Sequence, residues 1–292
     1  KEAAEKAGLP ENIICWMDES SIEMTQVMMR EVNLILATGG AGMVKAAYSS
    51  GTPAIGVGPG NCNVIFDDSC DIKNAVSSTI HSKTFDNGMI CAAEQHVTVL
   101  DSIYDKVKKE FQDNRCYFLN QEEAVKIGEV FFNAATHGVK ATAVGRSPAQ
   151  LAAMAGIQIP EGTVLGMYRA KTFEQALDIC YKLVSEGGAG HSGALYVDPT
   201  EREKIDAFGA KMQTARVLIN MPTSFGGIGD LYNFDTAPSL TLGPGSWGGS
   251  SFAGQTNIHQ LLNIKTVAER RENMLWLRLP EKVYFKKGCT PV

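Results

Sequence analysis

Cys91 lies in a sequence setting that could support covalent chemistry. It follows the turn signal Asn87-Gly88 in a polar loop that runs into a strand-like segment. An exposed thiolate in such a loop, with backbone N–H dipoles nearby, can attack a carbonyl carbon. The remaining cysteines are interpreted as small buried hydrophobic residues, and context alone leaves that interpretation open for Cys91 as well. They are Cys15, Cys62, Cys70, Cys116, Cys180 and Cys289.

His191 is a second candidate, because it stands in the run Gly188-Ala-Gly-His-Ser-Gly193 at the start of a predicted strand. An imidazole at such a position can take up a proton and return it later. The alternative is a structural imidazole bonded to local backbone, and the residues alone leave both open. No His, Cys, Asp or Glu residues have metal-ligand spacing, so we expect no metal.

Two glycine clusters suggest close approach of the backbone to a ligand. Thr38, Gly39 and Gly40 begin a glycine-rich turn between a predicted strand and a predicted helix, where a pyrophosphate could meet the helix N-terminus. The second cluster, 56–61, contains Gly56 and Gly58 and could form the floor for a nicotinamide ring. Ordinary structural turns explain both clusters equally well.

The apolar pattern predicts elements that alternate between strand and helix. Short apolar runs predict strands, and i, i+3, i+4 spacing predicts helices of ten to fifteen residues. The strands are expected at 32–37, 53–57, 64–66, 96–100, 141–144, 194–197, 217–221 and 283–285, and the helices at 43–50, 72–80, 102–112, 121–132, 173–184, after Pro199 and at 263–273. This alternation predicts an α/β fold with largely parallel sheets.

Composition excludes several classes of protein. With 292 residues, 44% of them hydrophobic, the chain can bury a sizeable core, and its net charge of −5 lacks the basic patch of a nucleic-acid binder. The odd number of cysteines, 7, predicts reduced thiols and a cytoplasmic location, not a disulfide framework. No apolar stretch is long enough for a membrane span.

Nearly the whole chain resembles the aldehyde dehydrogenase superfamily, and in particular its CoA-acylating branch and the aldehyde dehydrogenase module of bifunctional aldehyde-alcohol dehydrogenases. The resemblance implies an α/β fold with a Rossmann-type nicotinamide-binding domain, partial here, and an α/β catalytic domain. The segments that carry it are 33–40, 42–51, 83–88 together with Cys91, 226–234, 238–243, 245–249 and 271–276.

The resemblance also implies a mechanism and a set of site residues. Cys91 is expected to be the nucleophile and His191 an acid/base beside it. The Cys91 thiolate adds to an aldehyde such as acetaldehyde, a hydride passes to NAD, and CoA cleaves the resulting thioester. The Cys91 backbone N–H is a candidate oxyanion donor. Gly40, Gly58 and Leu242 are expected at the cofactor, and with the glycine clusters they give the set Thr38, Gly39, Gly40, Gly56, Gly58 and Leu242.

Gly56 distinguishes the acylating branch from hydrolytic relatives. Those relatives resemble this chain around 56–63 but carry a glutamate, which activates water, where this sequence has Gly56. Without that base, water attacks the thioester poorly and a thiol can win. The sequence therefore predicts acyl-CoA as the product, and not a free acid.

The chain departs from the family pattern in two places. A first stretch of roughly 150 residues, about one domain in length, has no counterpart here. Between Val164 and Leu165 the family carries a strand and a loop of roughly two dozen residues, longer than most connections. We therefore expect the sequence to be part of a longer polypeptide.

Three segments are expected. Residues 1–68 would complete the NAD-binding domain, 69–247 would form the thioester-forming domain, and 248–292 would pack back or contribute to oligomerisation. Members of the family form dimers or larger assemblies, and some are fused to an iron-dependent alcohol dehydrogenase used in alcohol fermentation.

Two alternatives remain. One is a stand-alone acylating dehydrogenase for propionaldehyde, succinate semialdehyde or sulfoacetaldehyde. The other is a non-catalytic assembly module, for which a Cys91→Ala change would leave assembly intact and no CoA-dependent turnover would exist.

Overall fold

The computed structural model describes residues 1–136, 138–159, 166–229 and 236–269. The chain divides into two units, Lys1–Asn257 and Ile258–Val292. The described part of the second unit contains the short helix α11 (Ile258–Leu261). In the first unit the helices are α1 (Glu2–Lys6), α2 (Ile22–Glu31), α3 (Ala41–Ser49), α4 (Ile72–Thr84), α5 (Tyr104–Asp113), α6 (Gln121–Phe131), α7 (Pro148–Met154), α8 (Phe173–Gly187), α9 (Arg202–Lys211) and α10 (Thr223–Ile228).

The described strands form three sheets. Strands β1 (Ile35–Thr38) and β2 (Ala54–Val57) pair in parallel. A five-stranded parallel sheet has the order β5-β4-β3-β6-β7, and β8 and β9 form an antiparallel hairpin. The predicted α/β fold with parallel sheets is confirmed. The ranges are β3 (Cys62–Phe66), β4 (Glu94–Leu100), β5 (Gly166–Ala170), β6 (Gly190–Tyr196), β7 (Thr214–Ile219), β8 (Leu242–Pro244) and β9 (Ala253–Gln255).

The main core packs around the two central strands of the large sheet. All residues of β3 and β6 are buried, which matches the continuous apolar runs typical of parallel strands covered on both faces. Phe66 stacks on Phe111 of α5, with ring centroids 6.2 Å apart, and meets Tyr196 edge-on at 5.2 Å. This core fixes the strand ends from which the site residues project.

Side-chain caps explain where several helices begin. Ser21, Asp71 and Thr172 each accept a hydrogen bond from a backbone N–H in the first turn of the helix that follows. Asn120 and Ser147 form full capping boxes at α6 and α7. In contrast, the N-cap residue of α3 is Gly40, which has no side chain, so the first N–H groups of this helix have no side-chain acceptor from the cap.

The connection between β2 and β3 leads from the small parallel sheet to the amino end of the large sheet. Residues 58–61 leave the carboxyl end of β2 and enter β3, whose parallel neighbours are β4 and β6. The carboxyl ends of β1 and β2 therefore approach the amino ends of β3, β4 and β6. This junction is where the loops with the candidate residues meet.

Some sequence predictions differ from the structure. The strand predicted at 141–144 is a series of turns, because its short apolar run lacks a partner strand. Residues 263–269 of the predicted last helix are irregular, and the rest of that helix and the strand at 283–285 lie outside the described residues. The junction of Val164 and Leu165 also lies outside them. The three-segment division stays a prediction, although β3, which it assigns to the first segment, pairs with β4 and β6 of the second.

Candidate active site

A tight turn presents Cys91 at the amino end of β4. Helix α4 ends at Thr84, and a 3₁₀ turn follows in which Asp86 and Asn87 both have φ of 51°. Asn and Asp tolerate this left-handed conformation better than most residues. The Asn87 side chain also donates to the carbonyl oxygen of Gly145 over 3.0 Å, which anchors the turn. Cys91 is left partly exposed, not sealed in the core.

His191 is the second residue of β6 and is 1% exposed. Its Nε2 lies 3.1 Å from the Sγ atom of Cys91, and its Nδ1 lies 3.0 Å from the hydroxyl oxygen of Ser192. A third contact joins Nδ1 to the sulfur of Cys62 over 3.8 Å. The imidazole therefore connects the partly exposed thiol on one side to buried polar groups on the other.

Gly60 allows the two side chains to meet. A Cβ atom at this position would lie 2.6 Å from the carbonyl oxygen of Cys91 and 2.7 Å from the Cγ atom of His191. Both distances are shorter than real Cβ contacts allow, so a side chain at 60 would displace one partner. The glycine cluster at 56–61 thus has a packing function at Gly60 that the sequence does not assign to it.

The environment sets opposite protonation tendencies for the pair. Burial raises the pKa of the Cys91 thiol, against the backbone N–H groups of Cys91 and Ala92 and the charge of Arg216, which lower it. Burial, assisted by the charge of Arg216, lowers the pKa of His191 to about 3. At neutral pH the pair is therefore a thiol beside a neutral imidazole. Because a protonated sulfur donates, Nε2 is the acceptor, and the proton on Nδ1 points to Ser192.

A cavity of about 490 Å³ has in its wall Gly188 and Ala189, which directly precede β6 and its His191. Gly58 and Pro59, which lead into Gly60, form part of its wall. Space also remains at Gly40 and Gly58, because a Cβ atom at either position would have no other atom within 4 Å. The remaining lining residues are Ala41, Val44, Lys45, Tyr48, Ser49, Ser185, Trp247, Gly248 and Gly249.

These residues fit a dinucleotide cofactor. The uncapped N-terminus of α3 offers N–H donors and the positive end of its dipole, which suit a pyrophosphate, and Lys45 adds a cation in the cavity wall. Thr38 ends β1 immediately before this turn, and the N–H of Gly39 is already bonded to the Val57 carbonyl oxygen over 3.1 Å. The free volume and the donor set are both of the kind that nucleotide sites use.

Gly56 faces the helix instead of open space. A Cβ atom there would lie 2.7 Å from both the Cγ1 atom of Val44 and the Cε2 atom of Tyr48. The Gly56 N–H donates to the Tyr48 hydroxyl oxygen over 2.9 Å. A carboxylate side chain at 56 therefore has no room in this packing.

Leu242, the remaining candidate at the cofactor, is 1% exposed in β8. A Cβ atom at Gly227 would contact its Cδ1 atom at 3.4 Å, the Cβ atom of Ala92 at 3.4 Å and the hydroxyl oxygen of Ser192 at 3.7 Å. Leu242 thus packs close to the Cys91–His191 pair.

Sequence reasoning missed Ser192, Arg216 and Gly60. Ser192 follows the candidate histidine directly, so its neighbourhood was the available signal. Arg216 occupies an apolar strand, and a charged residue within such a run marks either an edge position or a buried functional group. The strand register that places it beside Ser192 cannot be obtained from the sequence.

Comparisons with known proteins all point to the same family. The sequence profile of the aldehyde dehydrogenase family matches residues 1–143. The chain is 51% identical to the aldehyde-alcohol dehydrogenase of Clostridium acetobutylicum over 99% of its own length and 36% of the relative's. It is 47% identical to the bifunctional aldehyde-alcohol dehydrogenase AdhE of Escherichia coli, over 100% of this chain and 35% of the relative. The chain thus spans about a third of the length of these curated relatives.

A solved structure agrees with the sequence relatives. The acetylating aldehyde dehydrogenase of Geobacillus thermoglucosidasius superposes with a TM-score of 0.87 at 37% identity, over 94% of this chain and 65% of that one. Among the described residues, none of the helices combines the length and apolar character that crossing a membrane requires. Sequence, sheet topology and these comparisons agree: the chain belongs to the aldehyde dehydrogenase family, among its acylating members.

Proposed function

We propose that this chain catalyses the reversible conversion of acetaldehyde, CoA and NAD to acetyl-CoA and NADH. The observation that carries the proposal is the 3.1 Å contact between the Cys91 sulfur and the Nε2 atom of His191, in a chain that also has a cavity lined by the first turn of α3, an uncapped helix N-terminus. The names of the two sequence relatives and of the structural relative, all aldehyde dehydrogenases, support it.

Cys91 acts as the nucleophile and His191 as the proton acceptor. As the sulfur of Cys91 adds to the aldehyde carbon, its proton passes to Nε2 of His191, and the carbonyl oxygen becomes an alkoxide. The backbone N–H groups of Cys91 and Ala92, which already favour negative charge at the sulfur, are suited to stabilise the charge developing beside it. Since His191 is a weak base, it then releases this proton to solvent, which is the proton that the overall reaction sets free.

The thioester forms when the tetrahedral carbon loses a hydride. A bound nicotinamide cofactor supplies the acceptor for that hydride. Cys91 is then acylated, and His191 is again a neutral base that can take the proton from the thiol of CoA. Attack by that thiol on the acyl carbon expels the Cys91 sulfur and gives acyl-CoA.

Thr38, Gly39, Gly40, Gly58 and Leu242 are proposed to hold the cofactor. Thr38, Gly39 and Gly40 would place its pyrophosphate at the start of α3, and the open space at Gly58 would admit the nicotinamide end. Leu242 would pack near the reacting carbon. Gly56 contributes by keeping β2 close to α3.

The packing at Gly56 favours attack on the thioester by the thiol of CoA over attack by water. Val44 and Tyr48 fill the space that a side chain would need, so no carboxylate can reach the thioester from this position. A thioester without a nearby general base reacts slowly with water, and a thiol then competes well.

The assembly is also a proposal. Because the chain spans about a third of the curated aldehyde-alcohol dehydrogenases, we propose that it belongs to a longer polypeptide that includes an iron-dependent alcohol dehydrogenase and self-associates.

An assay on the full-length protein tests the function. We expect oxidation of NADH at 340 nm on addition of acetyl-CoA, with free CoA released and acetaldehyde formed, which a fused alcohol dehydrogenase would reduce further to ethanol. Propionyl-CoA, succinyl-CoA and a sulfoacetyl thioester, run in parallel, separate the acetyl enzyme from stand-alone enzymes for other aldehydes. Absence of turnover with all four thioesters would contradict the proposal and favour the assembly module.

A further inference from the structure

Arg216 is a buried cation beside the site. It lies on β7, directly opposite Ser192 of β6, and is 7% exposed. Its Nη1 atom donates to the carbonyl oxygen of His191 over 2.7 Å, and Nη2 donates to the carbonyl oxygens of Gly243 and Gly254 over 3.0 and 3.2 Å. The guanidinium thus joins the strand of His191 to the β8–β9 hairpin.

The charge of Arg216 has no carboxylate partner among the residues that the structure describes. Its acceptors are neutral carbonyl groups, and its Nε atom is buried without any partner. Burying an uncompensated charge is costly, and neutral donors could hold the same carbonyls at lower cost. The three hydrogen bonds therefore explain the shape of the side chain but not its charge.

The ionisable groups around Arg216 identify what its charge acts on. Arg216 is bonded to the backbone of His191, whose ring contacts the sulfur of Cys91 over 3.1 Å and that of Cys62 over 3.8 Å. Its positive charge accordingly lowers the pKa of both thiols and helps to lower that of His191. Glu94, the register partner of Cys62 on β4, is buried and raises the pKa of that thiol, whereas Lys83 lowers it. Burial raises the pKa of Glu94 and lowers that of Lys83, which favours the neutral form of both.

We propose that Arg216 is a positioning residue that supplies a fixed positive charge to the sulfur of Cys91 while keeping His191 uncharged. This inference rests on the proposed function, since it assigns a task within the same site. Once the proton of Cys91 has passed to His191, Arg216 stabilises the thiolate, and the same charge returns the imidazolium to its neutral form. The imidazole stays free to accept the proton of an incoming thiol.

The pH dependence of Cys91 alkylation by iodoacetamide tests this, with the Cys91 peptide quantified by mass spectrometry. In Arg216→Gln the midpoint should rise by about one pH unit, which makes alkylation near pH 7 about tenfold slower. Arg216→Lys, which keeps the charge, should stay within about half a unit of the parent. Arg169→Gln, on the distant edge strand β5, is the control and should not move the midpoint.

Each outcome decides the matter. Arg216→Met is measured beside the Gln variant, because an apolar replacement of similar length is better tolerated in a core. A folded neutral variant with an unmoved midpoint overturns the proposal, as does failure of both neutral variants to fold, which would make the role structural. Alkylation needs no turnover, so a shifted midpoint in a protein without CoA-dependent activity would sustain the task of Arg216 and refute the proposed function alone.

Discussion

The Cys91 sulfur lies 3.1 Å from the Nε2 atom of His191, although 100 residues separate the two in sequence. The contact depends on a turn before β4, on the start of β6 and on Gly60 between them. Each of these features supports a prediction that can be checked on the full-length protein.

Replacing Cys91 by Ala should reduce acetyl-CoA-dependent NADH oxidation by about a thousandfold or more, since the thioester is proposed to form on the Cys91 sulfur. The fold should persist, because the side chain is partly exposed. Cys15→Ala, which removes an exposed thiol outside the site, is the matched control. Retained turnover in Cys91→Ala, with circular dichroism unchanged, would refute the nucleophile assignment.

Ser192→Ala should lower kcat by about tenfold, part of the hundredfold or more that a general base contributes. Without the hydroxyl acceptor the Nδ1 proton loses its partner, so the tautomer that presents a free Nε2 to Cys91 becomes less populated. KM for CoA should not change, and Ser192→Thr should restore most of the rate. Equal kinetics for Ala and the parent would show that the hydroxyl does not orient the ring.

Glycine substitutions should separate packing from cofactor space. Gly56→Ala should destabilise the protein by about 1–3 kcal/mol, because its methyl group overlaps Val44 and Tyr48. Gly58→Ala should leave the melting temperature unchanged but raise KM for NAD, since the methyl group enters the open cavity. Similar melting temperatures and similar KM values for the two variants would contradict this division.

Gly56→Glu tests the argument about water. For lack of room, we expect this variant to be destabilised and to keep the parent ratio of acyl-CoA to free acid, measured by chromatography after aldehyde oxidation. The double variant Gly56→Glu with Val44→Ala, which removes one of the two obstructing side chains, should shift that ratio towards acid. An unchanged ratio in a folded double variant would count against the role of the missing carboxylate.

Stability should fall with acid through His191. Its pKa is about 3 in the folded protein but near 6.5 when unfolded, so between these values the unfolded chain binds the extra proton. Unfolding free energy should therefore drop by up to about 1.4 kcal/mol per pH unit below pH 6.5. Glu94, whose pKa is raised by burial, contributes with the opposite sign above its unfolded value. Urea denaturation of the parent and of His191→Gln at several pH values isolates the contribution of the histidine. If the unfolding free energies of the two proteins changed with pH in parallel, the prediction would be refuted.

The fold was largely accessible from the sequence where periodicity was strong. The apolar runs that became β2, β3, β4 and β6 needed only local pattern, because strands buried on both faces are continuously hydrophobic. Helix α2, strand β5 and helix α7 were not predicted. Residues 141–144 show the converse, since an apolar run without a partner strand folded into turns.

The two reacting residues of the candidate site could be predicted from the sequence, but the residues that position them could not. Cys91 stands in a polar loop and His191 in a glycine-rich run at the start of β6, so both could be singled out. Their contact depends on the pairing of β3 with both β4 and β6, and the position of Arg216 beside Ser192 depends on the register between β6 and β7, neither of which sequence spacing encodes. Gly60 likewise owes its importance to two side chains that come from distant segments.

Tyr48 limits how the cavity can exchange its contents. Its hydroxyl accepts from the N–H groups of Gly56 and Ser251, each over 2.9 Å, and contacts the Ser251 hydroxyl at 3.2 Å. The hydroxyl oxygen of Tyr48 thus links α3 to β2 and to the loop before β9. Moving α3 away from β2 would break all three of these contacts at once. We therefore expect this side of the cavity to stay fixed while small molecules enter and leave.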